Sequence, residues 1–272
     1  MSVGEALRQA ARRLSTISST PRLDSELLMA HTLGIGREPM LLHGLDGPEP
    51  AGFEALVVRR LACEPVAYIT GRRSFWTIEL AVEPGVLIPR PDSETLIEAA
   101  VEHFGEAGPR RILDLGTGSG ALLLAALDQW PRSTGHGRDS SARAIAVASG
   151  NARRLGLDGR ATFSPGDWGD NIDGDFDLVL CNPPYVEEDA DLPPDVAGWE
   201  PAEALFAGAD GLDCYRRIAP SIGRLLAPGG IACVEIGAFQ AGPGGALFAA
   251  SGLRFSVLDD LAGRPRCLVL QH

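Results

Sequence analysis

The chain's second half is constrained most by a regular alternation of short apolar strands with helical stretches, which begins near residue 110. Parallel strands need long crossover connections, usually helices, so this alternation predicts an α/β fold: a mainly parallel sheet with helices on both faces. The last two apolar segments lie close together and are predicted to close the sheet as an antiparallel hairpin. In chain order the predicted elements are a strand at 110–116, helices at 120–130 and 140–156, strands at 161–164 and 176–181, a helix at 215–230, a strand at 231–237, and a hairpin of 253–260 with 266–272.

The first seventy or so residues have a different pattern and predict a small helical domain. Ser2 and Glu5 form the sequence signature of a capping box, and apolar residues follow at helical spacing. β-branched and aromatic residues around a Pro-Gly turn then predict a hairpin. We therefore divide the chain into an N-terminal helical domain at 1–73, a β-hairpin connector at 74–91 and an α/β domain at 92–272.

Composition argues against several classes of protein. The 272 residues carry a net charge of −12, with a pI near 4.9, so we expect no direct nucleic-acid binding, which needs a basic face. No apolar run of about 18 residues suggests a membrane span, and the N-terminus lacks the apolar segment of a secretion signal. Five cysteines without CxxC spacing and five scattered histidines predict reduced thiols and no metal. We expect a cytoplasmic monomer.

A glycine-rich turn, "DLGTGSG", follows the first predicted strand of the α/β domain. Its glycines allow the backbone to approach a ligand, and the helix that follows supplies free N–H groups. Its spacing differs from the GxGxxG of dinucleotide-binding enzymes, which argues against a pyrophosphate ligand. We predict a cofactor loop of Gly116, Thr117, Gly118, Ser119 and Gly120; the alternative is a tight turn that binds nothing.

Two further segments supply candidates for the same site. Folds of this kind place an acid at the end of the second strand to bind ribose hydroxyls, and Asp139 has this position. The segment before it, "STGHGRD", is too polar for a buried strand, so either the strand is poorly formed or the local sequence has diverged. Trp168 is predicted to stack on an adenine ring, with Asp167 near the exocyclic amine. The alternatives are that Asp139 caps the helix beginning at Ser140 and that Trp168 fills the core.

The motif "CNPPY", residues 181–185, ends an apolar strand abruptly. Each proline lacks an N–H and fixes φ, so the hydrogen-bond ladder cannot continue. Asn182, Pro183, Pro184 and Tyr185 are therefore expected at a strand's carboxyl end, where open α/β sheets bind ligands. Their oxygens can accept the N–H groups of a substrate. The alternative is a simple turn made by the asparagine.

The segment after this motif, residues 186–211, is acidic and rich in proline and glycine. It is longer than an ordinary loop between two elements. We predict that it forms a lid or a substrate-facing segment.

These motifs together resemble those of S-adenosylmethionine-dependent amino-methyltransferases. Two branches share them: adenine-N6 DNA methyltransferases and the glutamine-N5 protein methyltransferases that act on peptide chain release factors. Further stretches are similar to the second branch, the PrmC or HemK family, over nearly the whole chain. They are "EPVAYITGRRSFW" (64–76), "VEPGVLIPRPDSETLIE" (82–98), "WEPAEALFAGADGLDCYRRI" (199–218) and "LAGRPR" (261–266). The chain departs from the family pattern at "STGHGRD" and at Asp92-Ser93, within the usual "RPxTE".

The resemblance implies a Rossmann-like fold and methyl transfer from S-adenosylmethionine to the glutamine N5 in the Gly-Gly-Gln loop of class I release factors. It also implies that Asn182 and the backbone of Pro183-Pro184-Tyr185 hold the substrate glutamine, and that the N-terminal domain docks the release factor. The implied cofactor site consists of Gly116 to Gly120, Asp139, Trp168 and Asn182.

Two other functions stay open at this point. Adenine-N6 methylation of nucleic acid needs a basic cleft and a target-recognition region, which a chain with −12 net charge and about seventy N-terminal residues does not offer. A non-enzymatic, methyltransferase-like binding module is supported only by the polar second strand.

Overall fold

A computed structural model describes all 272 residues, which form two compact units. The first unit comprises Met1–Arg72 together with Leu192–Trp199, and the second comprises Arg73–Asp191 together with Glu200–His272. The domain limits drawn from the sequence stay a prediction. None of the helices combines the length and apolar character needed to cross a bilayer.

The first unit is helical. Its helices in the N-terminal segment are α1 (Val3–Leu14), α2 (Pro21–Leu33), α3 (Arg37–His43), α4 (Phe53–Leu61) and α5 (Val66–Thr70). The predicted capping box is present: Ser2 Oγ accepts from the Glu5 amide at 3.3 Å, and Glu5 Oε2 accepts from the Ser2 amide at 2.9 Å. Both bonds satisfy amides that the first turn of α1 leaves free.

A buried arginine ties the separate segment 192–199 to these helices. Arg60 of α4 donates to Asp24 of α2 at 2.8 Å and to Asp195 at 3.1 Å. Its side chain is 5% exposed, so both carboxylates compensate a charge that has left water. The segment therefore belongs to the helical unit although it lies far along the chain.

The second unit contains most of the remaining elements. Continuing in chain order, the structure has β1 (Arg72–Phe75), β2 (Ile78–Ala81), α6 (Glu94–Phe104), β3 (Arg111–Leu115), α7 (Ala121–Gln129), β4 (Thr134–Asp139), α8 (Ala142–Arg154), β5 (Ala161–Pro165), β6 (Phe176–Cys181), α9 (Pro194–Ala197, in the first unit), α10 (Asp213–Leu225), β7 (Leu226–Glu235), α11 (Ala241–Ala250), β8 (Arg254–Asp259) and β9 (Pro265–Gln271). Strands β1 and β2 form a separate two-stranded sheet.

The main sheet has seven strands in the order β5-β4-β3-β6-β7-β9-β8. The first five are parallel, and β9 runs antiparallel to both of its neighbours. This confirms the predicted mainly parallel sheet with an antiparallel hairpin at its end. From β3 the chain continues outwards to β4 and β5, and from β6 it continues in the opposite direction to β7. The topological switch point therefore lies between β3 and β6. Ligands of open α/β sheets bind at such a point.

Side chains of the central strands alternate between two hydrophobic cores, because successive residues of a strand face opposite sides. In β6, Leu178 and Leu180 pack with α6, α7 and α8, whereas Val179 and Cys181 pack with α10 and α11. Helices therefore cover both faces of the sheet, as predicted.

Strand β4 corrects one sequence-based expectation. Of the two explanations offered for "STGHGRD", poor strand formation is wrong: β4 pairs along its length with β3 and β5. A Cβ on Gly135 would lie 2.4 Å from Leu123 of α7, so only glycine lets this helix approach the strand. His136 is bonded at 2.9 Å to the Thr162 and Ser164 hydroxyls of β5. Close packing and cross-strand hydrogen bonds replace the missing apolar side chains.

The end of helix α10 differs from its prediction as well. The helix was expected to continue to a glycine at 229 or 230, but it ends at Leu225. Leu226 already pairs with Phe176 of β6, and the next pair joins Leu178 to Ile231. The intervening Ala-Pro-Gly-Gly residues therefore form an irregularity within β7, where Gly229 has a φ of 79°.

Candidate functional site

The carboxyl ends of β3 and β6 border a cavity of about 480 Å³. This volume is within the usual range for small-molecule sites. The predicted residues that line it are Gly116, Thr117, Gly118, Ser119, Asp139, Asp167, Trp168, Asn182 and Pro184. Three predicted residues do not line it: Gly120, which precedes α7, Pro183, which is buried, and Tyr185. The sequence motifs are therefore assembled around one cavity.

The glycine loop is anchored from both sides. The amides of Gly116 and Thr117 donate to the Arg138 carbonyl at 2.9 and 3.0 Å, and the Thr117 hydroxyl donates to Asp114 Oδ2 at 2.6 Å. Gly116 has a φ of 73°, and a Cβ there would lie 3.4 Å from the Trp168 ring. The position thus favours glycine through both conformation and close approach. Burial raises the pKa of the Asp114 carboxyl to about 7.

Asp139 connects the glycine loop to helix α8. Its Oδ2 accepts from the Gly118 amide at 2.8 Å, and its Oδ1 accepts from the Ser141 amide at 2.8 Å. The N-cap residue of α8 is Ser141, whose side chain accepts from Ala144, so the alternative that Asp139 is the cap residue is wrong. Each carboxylate oxygen keeps further capacity to accept a hydrogen bond. Asp139 is therefore fixed at the cavity and can still bind hydroxyl groups.

Trp168 lies above the glycine loop. Its ring faces Gly116 and also packs against the core on the α10 side of the sheet. The indole Nε1 is buried and makes no hydrogen bond. Asp167 forms an ion pair with Arg217, and both residues line the cavity. Contacts of Trp168 and Asp167 with an adenine stay a prediction.

Asn182 is held by one end of its amide. Its Nδ2 donates to Ser93 Oγ at 3.0 Å, and Ser93 is buried in the turn before α6. Its Oδ1 makes no hydrogen bond, and Asn182 lines the cavity as a half-buried residue, so the amide oxygen is free to act as an acceptor. The following Pro183 is buried and stiffens the backbone.

Tyr185 is bonded through its hydroxyl to a buried carboxyl group. Its hydroxyl donates to Glu235 Oε1 at 3.1 Å, and its carbonyl accepts from Gln240 Nε2 at 2.9 Å. Burial raises the pKa of Glu235 to about 7, although the Ser93 hydroxyl, Arg266 and Tyr185 counteract this increase. Burial and the neighbouring Glu235 also raise the pKa of Tyr185. Tyr185 is therefore held through its hydroxyl by Glu235 and through its backbone carbonyl by Gln240.

Part of the segment 186–211, between Pro201 and Gly208, lines one side of the cavity. Val186 pairs with Phe206, with the Val186 amide donating to the Leu205 carbonyl at 2.9 Å. Glu200 binds Arg90 at 2.5 Å and the Ile88 amide at 3.1 Å, which anchors this part of the segment. The residues that line the cavity are Pro201, Glu203, Ala204, Phe206, Ala207 and Gly208.

Several residues at or near the site were not predicted as site residues from the sequence, among them Ser93, Glu235, Gln240 and Arg266. One signal was available, because Glu235 is a lone charge in the apolar run "IACVEIG". A carboxylate in a central strand is rarely buried without a partner. The other three residues carry no comparable local signal.

Comparison with known protein families gives two adjacent matches. Residues 5–71 match the model of the PrmC N-terminal domain, and residues 91–197 match the methyltransferase small domain. The resemblance drawn from the motifs is thereby confirmed for both parts of the chain.

Similar proteins extend over nearly the whole chain. A release factor glutamine methyltransferase of Rhodospirillum rubrum is 44% identical over 277 residues, covering 99% of this chain and 85% of that one. A protein of the same name from Cereibacter sphaeroides is 42% identical over 275 residues, covering 98% and 97%. Among solved structures, a ribosomal protein L11 methylase from Lactobacillus delbrueckii subsp. bulgaricus has a TM-score of 0.52 at 19% identity, over 70% of this chain and 83% of that one. The last similarity supports the methyltransferase fold alone.

Proposed function

The chain belongs to the release factor glutamine methyltransferase family, and on this premise we propose that S-adenosylmethionine is its methyl donor and the Gly-Gly-Gln loop of class I peptide chain release factors its target. The chain is an enzyme, a protein-(glutamine-N5) methyltransferase. The methyl group goes to N5, the side-chain amide nitrogen of the glutamine. The relatives that are release factor glutamine methyltransferases support this target most directly. Asn182 suits a substrate with N–H groups, because it lines the cavity, is held by its nitrogen and has an unbonded oxygen.

The cavity residues fit S-adenosylmethionine. Gly116 keeps open the space that a Cβ would fill beneath Trp168, and the buried Nε1 of Trp168 lacks a partner. Asp139 offers carboxylate oxygens suited to a pair of ribose hydroxyls. The glycine loop precedes the N-terminus of α7, whose free amides favour a carboxylate. When bound, the cofactor supplies a methyl group on a positively charged sulfur.

Asn182 and the Pro183 carbonyl are proposed to bind the substrate amide. A carboxamide nitrogen is a weak nucleophile because its lone pair is delocalised into the carbonyl group. If Asn182 Oδ1 and the Pro183 carbonyl each accept one N–H of the substrate, they fix the direction of that lone pair. They also stabilise the positive charge that develops on the nitrogen.

Orientation is then the main contribution of the protein. A well-aligned intramolecular reaction can gain roughly 7–11 kcal/mol over its bimolecular counterpart, so no strong base is needed within the motif. Pro183 and Pro184 restrict the backbone and add carbonyls without competing N–H donors. We propose that the Tyr185 ring flanks the planar amide, while its hydroxyl remains bonded to Glu235.

The helical N-terminal domain is proposed to dock the release factor. It matches the PrmC N-terminal domain over residues 5–71. The surface of the chain is acidic overall, with a net charge of −12, which favours a basic protein surface as partner.

The direct test uses labelled S-adenosylmethionine and two release factors, with Gln or Ala in the Gly-Gly-Gln loop. We expect label only in the protein that has Gln, and mass spectrometry of the loop peptide should show one added methyl group. Equal labelling of both proteins would refute the proposed target.

The variant Asn182→Ala tests the role of the substrate-binding amide. Removing the acceptor should lower the methylation rate at least on the order of 10²-fold, as is typical when a group that stabilises a transition state is lost. Cofactor affinity, measured by calorimetry, should change little. Loss of cofactor binding in parallel with activity would contradict this role.

A further inference from the structure

Glu235 is the buried acid nearest to the substrate motif. It ends β7, is completely buried, and accepts a hydrogen bond from the Tyr185 hydroxyl at 3.1 Å. Its own carbonyl accepts from the Tyr215 hydroxyl at 3.0 Å. It does not line the cavity. A buried carboxyl group needs interactions that compensate for its loss of hydration. The cofactor and substrate contacts proposed above do not involve Glu235.

Ser93 links this acid to Asn182. The Ser93 hydroxyl accepts from Asn182 Nδ2 at 3.0 Å and lies close enough to Glu235 to favour its charged form. The second carboxyl oxygen, Oε2, makes no hydrogen bond of regular geometry. Two hydrogen-bonded pairs, Asn182–Ser93 and Tyr185–Glu235, thus hold the two ends of the Asn-Pro-Pro-Tyr motif, and Ser93 lies near Glu235 between them.

The direction of the Asn182–Ser93 hydrogen bond determines which end of the Asn182 amide is left for the substrate. An asparagine amide has a donor end and an acceptor end of nearly equal shape, so packing alone selects poorly between them. A substrate N–H group needs the Asn182 oxygen as its acceptor. If the amide were flipped, its NH₂ group would face the substrate N–H, and two donors would oppose each other. The Ser93 hydroxyl can accept a hydrogen bond from Asn182 while it donates one to another acceptor. The carboxylate of Glu235 is the neighbouring group that can accept that second bond.

We propose that Ser93 and Glu235 are positioning residues, which hold the Asn182 amide with its oxygen towards the substrate and fix Tyr185 beside it. The inference deepens the proposed function and rests on it for its catalytic part. Neither residue needs to touch the reacting atoms. Each acts through a member of the Asn-Pro-Pro-Tyr motif.

The charged state of Glu235 is part of this arrangement. As a carboxylate, Glu235 accepts a hydrogen bond from Tyr185 and can accept another from Ser93. Once protonated, Glu235 can donate a hydrogen bond to the Ser93 oxygen. This bond would compete with the one that Ser93 accepts from Asn182. The groups whose charge or hydrogen bond acts on it come from four elements: Tyr185 after β6, Ser93 and Asp92 before α6, Arg266 and Cys267 on β9, and Tyr215 on α10. Because the pKa of Glu235 is raised to about 7, the amide orientation should weaken as the pH falls through neutrality.

The kinetic test compares Ser93→Ala with Ser93→Thr in the full-length enzyme. Ser93→Ala should lower kcat on the order of 10²-fold, since a misplaced reacting group costs about that much. The Kd for S-adenosylmethionine should stay within threefold of the wild-type value (roughly 0.6 kcal/mol). Ser93→Thr keeps the hydroxyl and should restore most of the lost rate. Ser133→Ala removes another buried serine hydroxyl, bonded to the Pro109 carbonyl outside the cavity, and should keep the wild-type kcat.

A spectroscopic test requires no substrate. The side-chain NH₂ signal of Asn182, assigned by its disappearance in Asn182→Ala, should shift with an apparent pKa of about 7 in the wild type. The shift should vanish in Glu235→Gln, and the signal should move in Ser93→Ala at every pH.

The two tests separate the inference from the proposed function. Wild-type kcat in Ser93→Ala, or an Asn182 signal insensitive to both substitutions, would overturn the positioning role. If the NMR shifts occur as expected and no release factor is methylated, the proposed target is wrong while the structural part of the inference holds.

Discussion

At the scale of single residues, Asp139 has a structural role, to which we add the proposed binding of the cofactor ribose. Its two oxygens already bind the Gly118 and Ser141 amides at 2.8 Å. These bonds join the glycine loop to the start of α8 and hold the carboxylate at the cavity. A bound nucleoside therefore meets an acceptor that is fixed before binding, which lowers the entropy lost on association.

Asp139→Asn tests this arrangement. The amide can accept one of the two backbone bonds but turns a donor towards the other N–H or towards the ribose. Because hydrogen bonds to charged groups contribute about 1.5–3 kcal/mol, the affinity for S-adenosylmethionine should fall roughly 10- to 150-fold, measured by calorimetry. Asp158→Asn makes the same charge change at an exposed residue outside the cavity and should leave the affinity unchanged. Equal affinities of both variants would show that Asp139 does not contact the ligand.

The sequence revealed the site residues that stand in local motifs and missed those brought in from other elements. Gly116 and Asn182 each follow a strand directly, so topology alone predicts that they meet. Ser93 is 89 residues from Asn182, and its function depends on a turn whose position no periodicity indicates. Gln240 likewise binds Tyr185 from 55 residues away. Single side-chain contacts of this kind depend on packing, which one sequence does not specify.

At the scale of elements, β4 shows where strand prediction fails. Prediction relies on apolar side chains that cover the sheet, and β4 has almost none. Its strand structure comes from ladders on both sides and from the close approach of α7 at Gly135. The other central strands carry their own apolar side chains, and the sequence predicted them. Tertiary packing therefore decides the structure of β4, as it often does for residues of low β-propensity.

The variant Gly135→Ala tests how much the close approach of α7 to β4 at this glycine contributes to stability. The added methyl group would meet Leu123 at 2.4 Å, so the Leu123 side chain, the helix or the strand must move. Overpacking of this kind typically lowers the free energy of unfolding by about 1–3 kcal/mol, which denaturant titration can detect. Gly150→Ala, in α8, adds a methyl group in open space and should stabilise the protein by about 0.5–1 kcal/mol. A neutral effect of Gly135→Ala would mean that α7 is not tightly packed on β4.

At the scale of the whole molecule, two of the buried carboxyl groups have raised pKa values. Asp114 and Glu235 are both almost completely buried, and burial raises the pKa of each to about 7. The unfolded chain releases these protons at much lower pH. Between the two pKa values the folded state binds more protons than the unfolded state, so stability is gained as the pH falls through 7 and lost as it rises.

The variant Glu235→Gln measures the contribution of Glu235 to this pH dependence of stability. From pH 8 to pH 6 the wild type should gain about 1 kcal/mol of unfolding free energy from protonation of Glu235, and the variant should lack this gain. His136 acts in the opposite direction, because burial lowers its pKa and the folded state then resists protonation. It is present in both proteins and cancels in the comparison. Glu102→Gln changes the net charge equally at an exposed residue and should follow the wild type. Parallel curves for wild type and Glu235→Gln, from urea titrations at both pH values, would mean that Glu235 stays ionised throughout this range, and the pH-dependent control of Asn182 would fail with it.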